Sequence, residues 1–236
     1  MDEILLWNRY EGGSLRLNTW GGPVGHGRPN SCLNVFTAHG WGYGLMLLDR
    51  VQDFLLFTLA EAAHGYTRGT WTATEDSTLD RRQWNNDTLG DGSGYCSPSQ
   101  TLLPTMVKWL LLFEDPRTKT LWIARATPRS WLEVGKTISV GNATSRYGRI
   151  SFRATATTAT QTHASISLPT TPGWTPPPGG IVLRLRHHAA AKLSGVTVGG
   201  AAWPSINATA ETITFTAAEL AGAGAAAKLA AIVASY

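Results

Sequence analysis

The apolar residues of this chain change their spacing at "EDPRTK", residues 114–119, and no other feature constrains the fold as much. Before that point they recur every three or four positions. After it they alternate, in short β-branched runs separated by Gly, Pro and Asn: "TLWIAR", "KTISVGN", "GRISFRATA", "HASISLP", "GIVLRLRH", "GVTVGG" and "TITFT". A period near 3.6 turns one face of a helix to a core, and a period of 2 does the same for a strand. The expected class is therefore α+β and multidomain, with a helical unit over 1–116 and an antiparallel β-sandwich over 118–216. An alanine-rich tail follows at 217–236, where Ala favours helix and Gly222 and Gly224 interrupt it; a short helix or a frayed end is expected.

Two helices are legible in the first stretch. Leu45, Leu48, Val51, Leu55, Leu59 and Ala62 share one face of a single helix over 45–63, with Gly65 as its stop. "SPSQ" opens a second, with Ser97 as N-cap, Pro98 at the first helical position and Gln100 completing a capping box. It should run to about Glu114 and kink, or effectively start, at Pro104. "GWGYG" at 40–44 and "NTWGGPVGHG" at 18–27 lack the frame and lysine of a phosphate loop and read as aromatic loops. In "IVLRLRH" the leucines take one face and Arg184 and Arg186 the other.

Composition removes several classes. With 43% hydrophobic residues, ten Trp and 15% charged residues, the chain buries a core and is not disordered. "WLLLF" at 109–113, like every other apolar run of the chain, is far short of the ~20 residues that cross a bilayer, so no membrane partner is expected. "MDEILLWNRY" starts acidic, unlike a secretory signal, which fits a cytosolic chain or one whose beginning lies upstream and leaves localisation open. The net charge of +4 is scattered rather than gathered: residues 134–236 carry eight Lys and Arg against Glu211 and Glu219, along strand-like segments. Nucleic acid is not an expected partner. Cys32 and Cys96 lack metal or redox spacing and read as two thiols before one disulfide.

Residues 64–216 carry longer phrases: "RGTWTATED", "YCSPSQTLLPTMVKWLLLFED", "TLWIARATPRSWLEVGKTISVGNATSRYGRISF" and "IVLRLRH". In these the chain resembles the C-terminal part of six-hairpin glycosidase-like proteins, in which an (α/α)6 barrel precedes a β-sandwich and many members have no assigned reaction. The resemblance implies that residues 1–116 are partial (α/α)-toroid helices. A complete toroid has about a dozen helices and these residues have room for three or four, so the chain reads either as a fragment, which the acidic start fits, or as a protein that has lost its catalytic domain. Carbohydrate is the implied partner, with the missing remainder of the barrel as a second, and no cofactor is implied.

Glycoside hydrolysis uses two opposed carboxylates. The second half holds almost none, so candidates lie in "HGYTRGTWTATED", residues 64–76. Glu75 is the candidate catalytic residue, with Tyr66, Arg68, Trp71 and Asp76 as candidate substrate-binding residues: rings to stack on a sugar, Arg68 to hold a hydroxyl or carboxylate. Against this stands a structural role for Glu75 as a cap or ion pair. Glu61 and His64 share a helix face, where a structural hydrogen bond is favoured over a metal. Asp80, Arg81 and Arg82 read as a solvated cluster, and "WNNDTLGDGSGY" lacks the series of a calcium loop. His187 and His188, alternating at a strand end, should face opposite ways, and no metal is expected. One carboxylate cannot hydrolyse a glycoside, so the isolated chain is expected to be inactive. The alternative is a non-catalytic β-sandwich module that binds glycan or a partner protein, marked by exposed, coplanar aromatics among Tyr147, Trp174 and Trp203.

Overall fold

Leu112 is where the backbone stops coiling and extends. The computed structural model describes residues 32–34, 38–66, 69–73, 76–78 and 95–236, and the chain divides into two compact units, 1–108 and 109–236. No described helix is long and apolar enough to cross a membrane.

In the first unit, β1 (Cys32–Asn34) pairs antiparallel with β2 (Asp76–Thr78), and the helices are α1 (Ala38–Leu47), α2 (Val51–His64) and α3 (Ser97–Leu111). The single helix expected over 45–63 is two. The chain breaks at Asp49, whose φ of 55° lies in the left-handed region that Asp tolerates better than most residues, and Arg50 N–H turns back to Leu45 O at 2.9 Å. "GWGYG" is helical, not a loop. Gly42 is the reason: a β carbon there would sit 3.1 Å from Met106 Cε and 3.4 Å from the rings of Phe54 and Phe57. Close packing against these buried residues outweighs the roughly 0.5–1 kcal/mol that glycine costs a helix. Gly65 ends α2 in the right-handed region, its N–H still bonded to Glu61 O at 2.8 Å, without the left-handed stop.

The second unit is a pair of antiparallel-rich sheets. Its strands are β3 (Leu112–Asp115), β4 (Thr120–Ile123), β5 (Thr137–Ser145), β6 (Gly148–Thr158), β7 (Gln161–Ser167), β8 (Ile181–Arg184), β9 (Gly195–Val198), β10 (Ala201–Ala202), β11 (Ile206–Asn207), β12 (Thr212–Phe215) and β13 (Ile232–Ser235). One sheet has the order β10-β9-β13-β7-β6-β5 and the other β11-β12-β8-β4-β3. All seven quoted segments contain strands. The pairing is not wholly antiparallel, because β4 and β8 run parallel with Leu121 opposite Ile181. The inward faces of both sheets feed one apolar cluster, in which Leu121, Ile123, Leu183, Ile213 and Ile150 are fully buried. At about 1.5–3 kcal/mol per side chain, this cluster dominates the unit's stability.

Two boundaries differ from the sequence reading. The first strand begins at Leu112, inside the expected helical segment, because Phe113 and Asp115 alternate with Leu112 and Glu114 on the ladder to β4. Residues 217–236 are no frayed tail: α4 (Ala217–Ala221) and α5 (Ala225–Leu229) lead into β13, which lies between β7 and β9 and sends Ile232 and Ala234 into the core. Thr216 and Glu219 form a full capping box on α4. Leu183 and Leu185 face the core and Arg184 and Arg186 the other side, as the alternation implies, yet both arginines are buried. Arg184 Nη1 donates to Arg125 O at 3.0 Å and Arg186 Nη1 to Thr127 O at 2.8 Å, while the Arg125 guanidinium lies 4.2 Å over the Trp122 ring.

Candidate functional site

Two residues that bind across sequence, Tyr66 and Gln100, tie the described part of the stretch 64–76 to α3. The Tyr66 hydroxyl donates to Ser99 O at 2.7 Å and accepts from Leu103 N at 2.8 Å. Those two groups are four residues apart, the natural partners of one helical turn, and the hydroxyl bonds to both at that turn of α3. Pro104, next along, has no N–H to offer Gln100 O. Burial pushes the Tyr66 hydroxyl up to about 12; the Leu103 N–H opposes this and the Glu61 carboxylate adds to it.

Gln100 clamps the loop. Its Nε2 donates to Trp71 O at 2.7 Å, and its Oε1 accepts from Ala73 N at 3.0 Å. Cys96 N donates to Ala73 O at 2.9 Å, so both polar groups of Ala73 are tied to the start of α3. The expected capping box is absent for this reason: the first helical bond is accepted by Cys96 O, Ser97 is already helical, and the Gln100 amide faces the loop. Cys96 is a free thiol.

Trp71 is the exposed member. Its side chain is half open to solvent although its backbone sits at φ 55°, a conformation uncommon for a bulky residue and held here by Gln100. The Tyr66 and Trp71 rings lie 6.3 Å apart at 51°. With Gln100, Leu103, Pro104 and Val107 they line an apolar groove of about 460 Å³. Of the site residues expected from sequence, the structure therefore brings Tyr66 and Trp71 together. Asp76 begins β2 opposite Asn34. Arg68 and Glu75 lie outside the described residues, as do Asp80, Arg81, Arg82, residues 84–94, residues 18–27 and the His64 side chain.

The densest polar cluster is elsewhere, and its groups are spent. Arg129 grips Glu211 with two bonds, at 2.9 and 2.7 Å, and donates a third to His187 O. Glu211 Oε1 also accepts from His187 N at 2.7 Å. The His187 Nδ1 takes N–H bonds from Ala189 and Ala191, at 3.2 and 3.3 Å, so its proton is on Nε2, which donates to Ala159 O at 2.8 Å. Neither ring nitrogen is left for a metal or a substrate. The His187 and His188 rings meet at 4.3 Å, contrary to the expected opposite facing, because β8 ends at Arg184 and strand alternation no longer applies. The Tyr236 hydroxyl donates to Leu185 O at 2.9 Å; burial pushes it up to about 12, against the Thr162 hydrogen bond that lowers it. Among the described residues no group of three or more His, Cys, Asp or Glu is placed to hold a metal ion.

Tyr147, Trp174 and Trp203 are half-buried in their own unit. Trp203 packs its ring 5.3 Å from Phe215 and donates to Thr214 O at 3.0 Å, and Trp174 donates to Tyr147 O at 2.6 Å. None of the three is fully exposed, and Trp174 lines a groove. No family model, curated protein or solved structure matches the chain.

Proposed function

We propose that this chain is the C-terminal portion of a carbohydrate-active, glycoside hydrolase-like protein, with α1 to α3 as remnants of an (α/α) toroid, the two sheets as its β-sandwich, and Trp71 as a sugar-stacking platform. The observation that carries the reading is the Trp71 groove. An exposed indole costs solvent-exposed apolar area and a strained backbone, and both persist because Gln100 fixes the peptide beneath it. Glu75 is the catalytic candidate on resemblance alone, and the isolated chain is proposed to bind sugar without turning it over.

Native gel electrophoresis through a panel of soluble neutral polysaccharides tests the binding. The chain should be retarded by at least one of them, and Trp71→Ala, which keeps the Gln100 bond to the main chain, should weaken binding about tenfold, or ~1.4 kcal/mol. Retardation by none, or retardation unchanged by the substitution, rejects the platform. Aryl glycosides assayed alongside, with Glu75→Gln as the control, test the inactivity: turnover that the control abolishes overturns it. A non-catalytic module is the second reading, and it is favoured by a larger groove in the second unit.

A further inference from the structure

That groove lies between the β5–β6 hairpin and the loop after β7, has a volume of about 740 Å³, and is lined on one side by Asn142, Arg149 and Ser151 and on the other by Pro169, Thr171 and Trp174. From its chemistry we infer that it binds an acidic polysaccharide, taking a uronate carboxylate on Arg149 and a sugar face on Trp174.

The groove is built rather than incidental. Gly148, at φ 98°, closes the hairpin, and a β carbon there would lie 2.7 Å from Pro169 Cγ, so its two walls touch only because this residue is glycine. The Trp174 indole N–H is bound to Tyr147 O at 2.6 Å, which fixes the ring in the groove wall. Asn142, at φ 55°, sits in the bulge of β5 and donates its N–H to Ser151 Oγ at 2.8 Å.

The charge of the groove has one sign. Among the described residues, its ionisable lining residues besides Tyr147 are Arg146 and Arg149. Arg146 is engaged by Glu114 at 2.5 Å. Arg149 is exposed and its one hydrogen bond, from Nη1 to Asn142 O at 3.3 Å, leaves most of the guanidinium fork to meet a carboxylate in two-point fashion. Arg153 continues the same outward face of β6 four residues on. Glu114, the carboxylate at the groove, is taken up by Arg146, and beyond residue 134 both side-chain carboxylates are committed within the fold, Glu211 to Arg129 and Glu219 to the cap of α4, so Arg149 gives the groove a positive charge that attracts an acidic chain.

The ligand follows from what surrounds the cation. The volume suits several joined rings rather than a lone small anion. A nucleic acid backbone needs a row of cations along successive phosphates, and among the described lining residues Arg149 stands alone without an acid partner, set among Ser, Thr and Asn groups that match sugar hydroxyls.

Isothermal titration of the full chain at low and at physiological salt, with polygalacturonate, neutral dextran and an oligothymidylate as probes, tests this. Polygalacturonate should bind, dextran should not bind at this groove, and Arg149→Glu should weaken polygalacturonate binding at least tenfold. Lys192→Glu makes the same change of net charge at an exposed position outside the groove and should weaken it less than twofold, with circular dichroism confirming that both variants fold. Trp71→Ala should leave polygalacturonate binding intact, so this inference and the neutral-sugar platform fail separately. Absent binding, equal losses in the two charge variants, or tighter Arg149-dependent binding of the oligothymidylate each overturn it.

Discussion

Replacing Tyr66 by phenylalanine removes one buried oxygen and leaves the ring in place. That oxygen makes two hydrogen bonds, at 2.7 Å to Ser99 O and 2.8 Å from Leu103 N. At about 1 kcal/mol net for each, the loss is about 2 kcal/mol, rising toward ~3 if both main-chain groups stay buried and unpaired. One escape exists. Ser99 O and Leu103 N are natural helical partners, and if the turn closed they would bond directly and recover half the loss. Pro104 works against closure, because its ring crowds the Gln100 carbonyl and it has no N–H to give that turn. Tyr66→Phe should therefore cost about 2 kcal/mol in the native background and under about 1 kcal/mol beside Pro104→Ala, a coupling on the order of 1 kcal/mol. Urea unfolding at neutral pH measures the cycle. Native-state exchange of the Leu103 amide should accompany it, because a chain of two units need not unfold as one. Equal costs in both backgrounds, or no cost in the native one, would refute the Tyr66 hydroxyl as the device that holds the loop to α3.

Alkali offers a second test of the same tyrosine. Tyr66 and Tyr236 both titrate near about 12 when folded against an ordinary 10.0, so the folded state holds their protons more tightly. Their stabilisation is complete below pH 10 and is lost as pH rises through 12, at about 1.4 kcal/mol per unit for a fully buried group. Denaturant midpoints taken from pH 9 to 12 should fall, and Tyr66→Phe should flatten part of that fall; a flat profile contradicts the burial of both hydroxyls. Asp115 is an acid-side counterpart: burial opposes its ionisation, but the Arg117 hydrogen bonds and the charges of Arg117 and Arg125 outweigh it and hold the carboxyl below its ordinary 3.8. Its contribution is present above that value and lost as pH falls through the folded one, so Asp115→Asn should destabilise by about 3 kcal/mol at neutral pH and shrink the acid limb. An unchanged neutral midpoint would show that the Arg125 site does not depend on this carboxylate. Gly180, at φ 77°, has no room for a β carbon beside Phe215 O, so Gly180→Ala should cost about 3 kcal/mol or more in thermal unfolding, and a loss under about 1 kcal/mol would show that the strand end gives way.

The elements that the sequence determined are those whose signal is contained in a few adjacent residues. Alternation over "GRISFRATA" and "GIVLRLRH" commits each side chain to a face, and the structure has Ile150, Phe152 and Leu183 in the core accordingly. The helix from Ser97 is legible for the same reason, since period and start lie within one or two turns. Where a glycine-rich or alanine-rich stretch had no period, local reading was incomplete: the short helix expected in the tail is present, but its last strand was missed. "GWGYG" became helix because Met106, Phe54 and Phe57 fill the space beside Gly42, and "IVAS" became a central strand because two other strands flank it. The candidate site divides in the same way. Trp71 and Tyr66 were visible as aromatics in a crowded loop, but the partner of Tyr66 lies 33 residues away and that of Trp71 O lies 29. Glu211 meets Arg129 across 82 residues, and Gly148 meets Pro169 across the mouth of a groove. Buried polar groups must be satisfied by whatever the fold brings within about 3 Å, and that choice is made only when the sheets and helices have closed on one another.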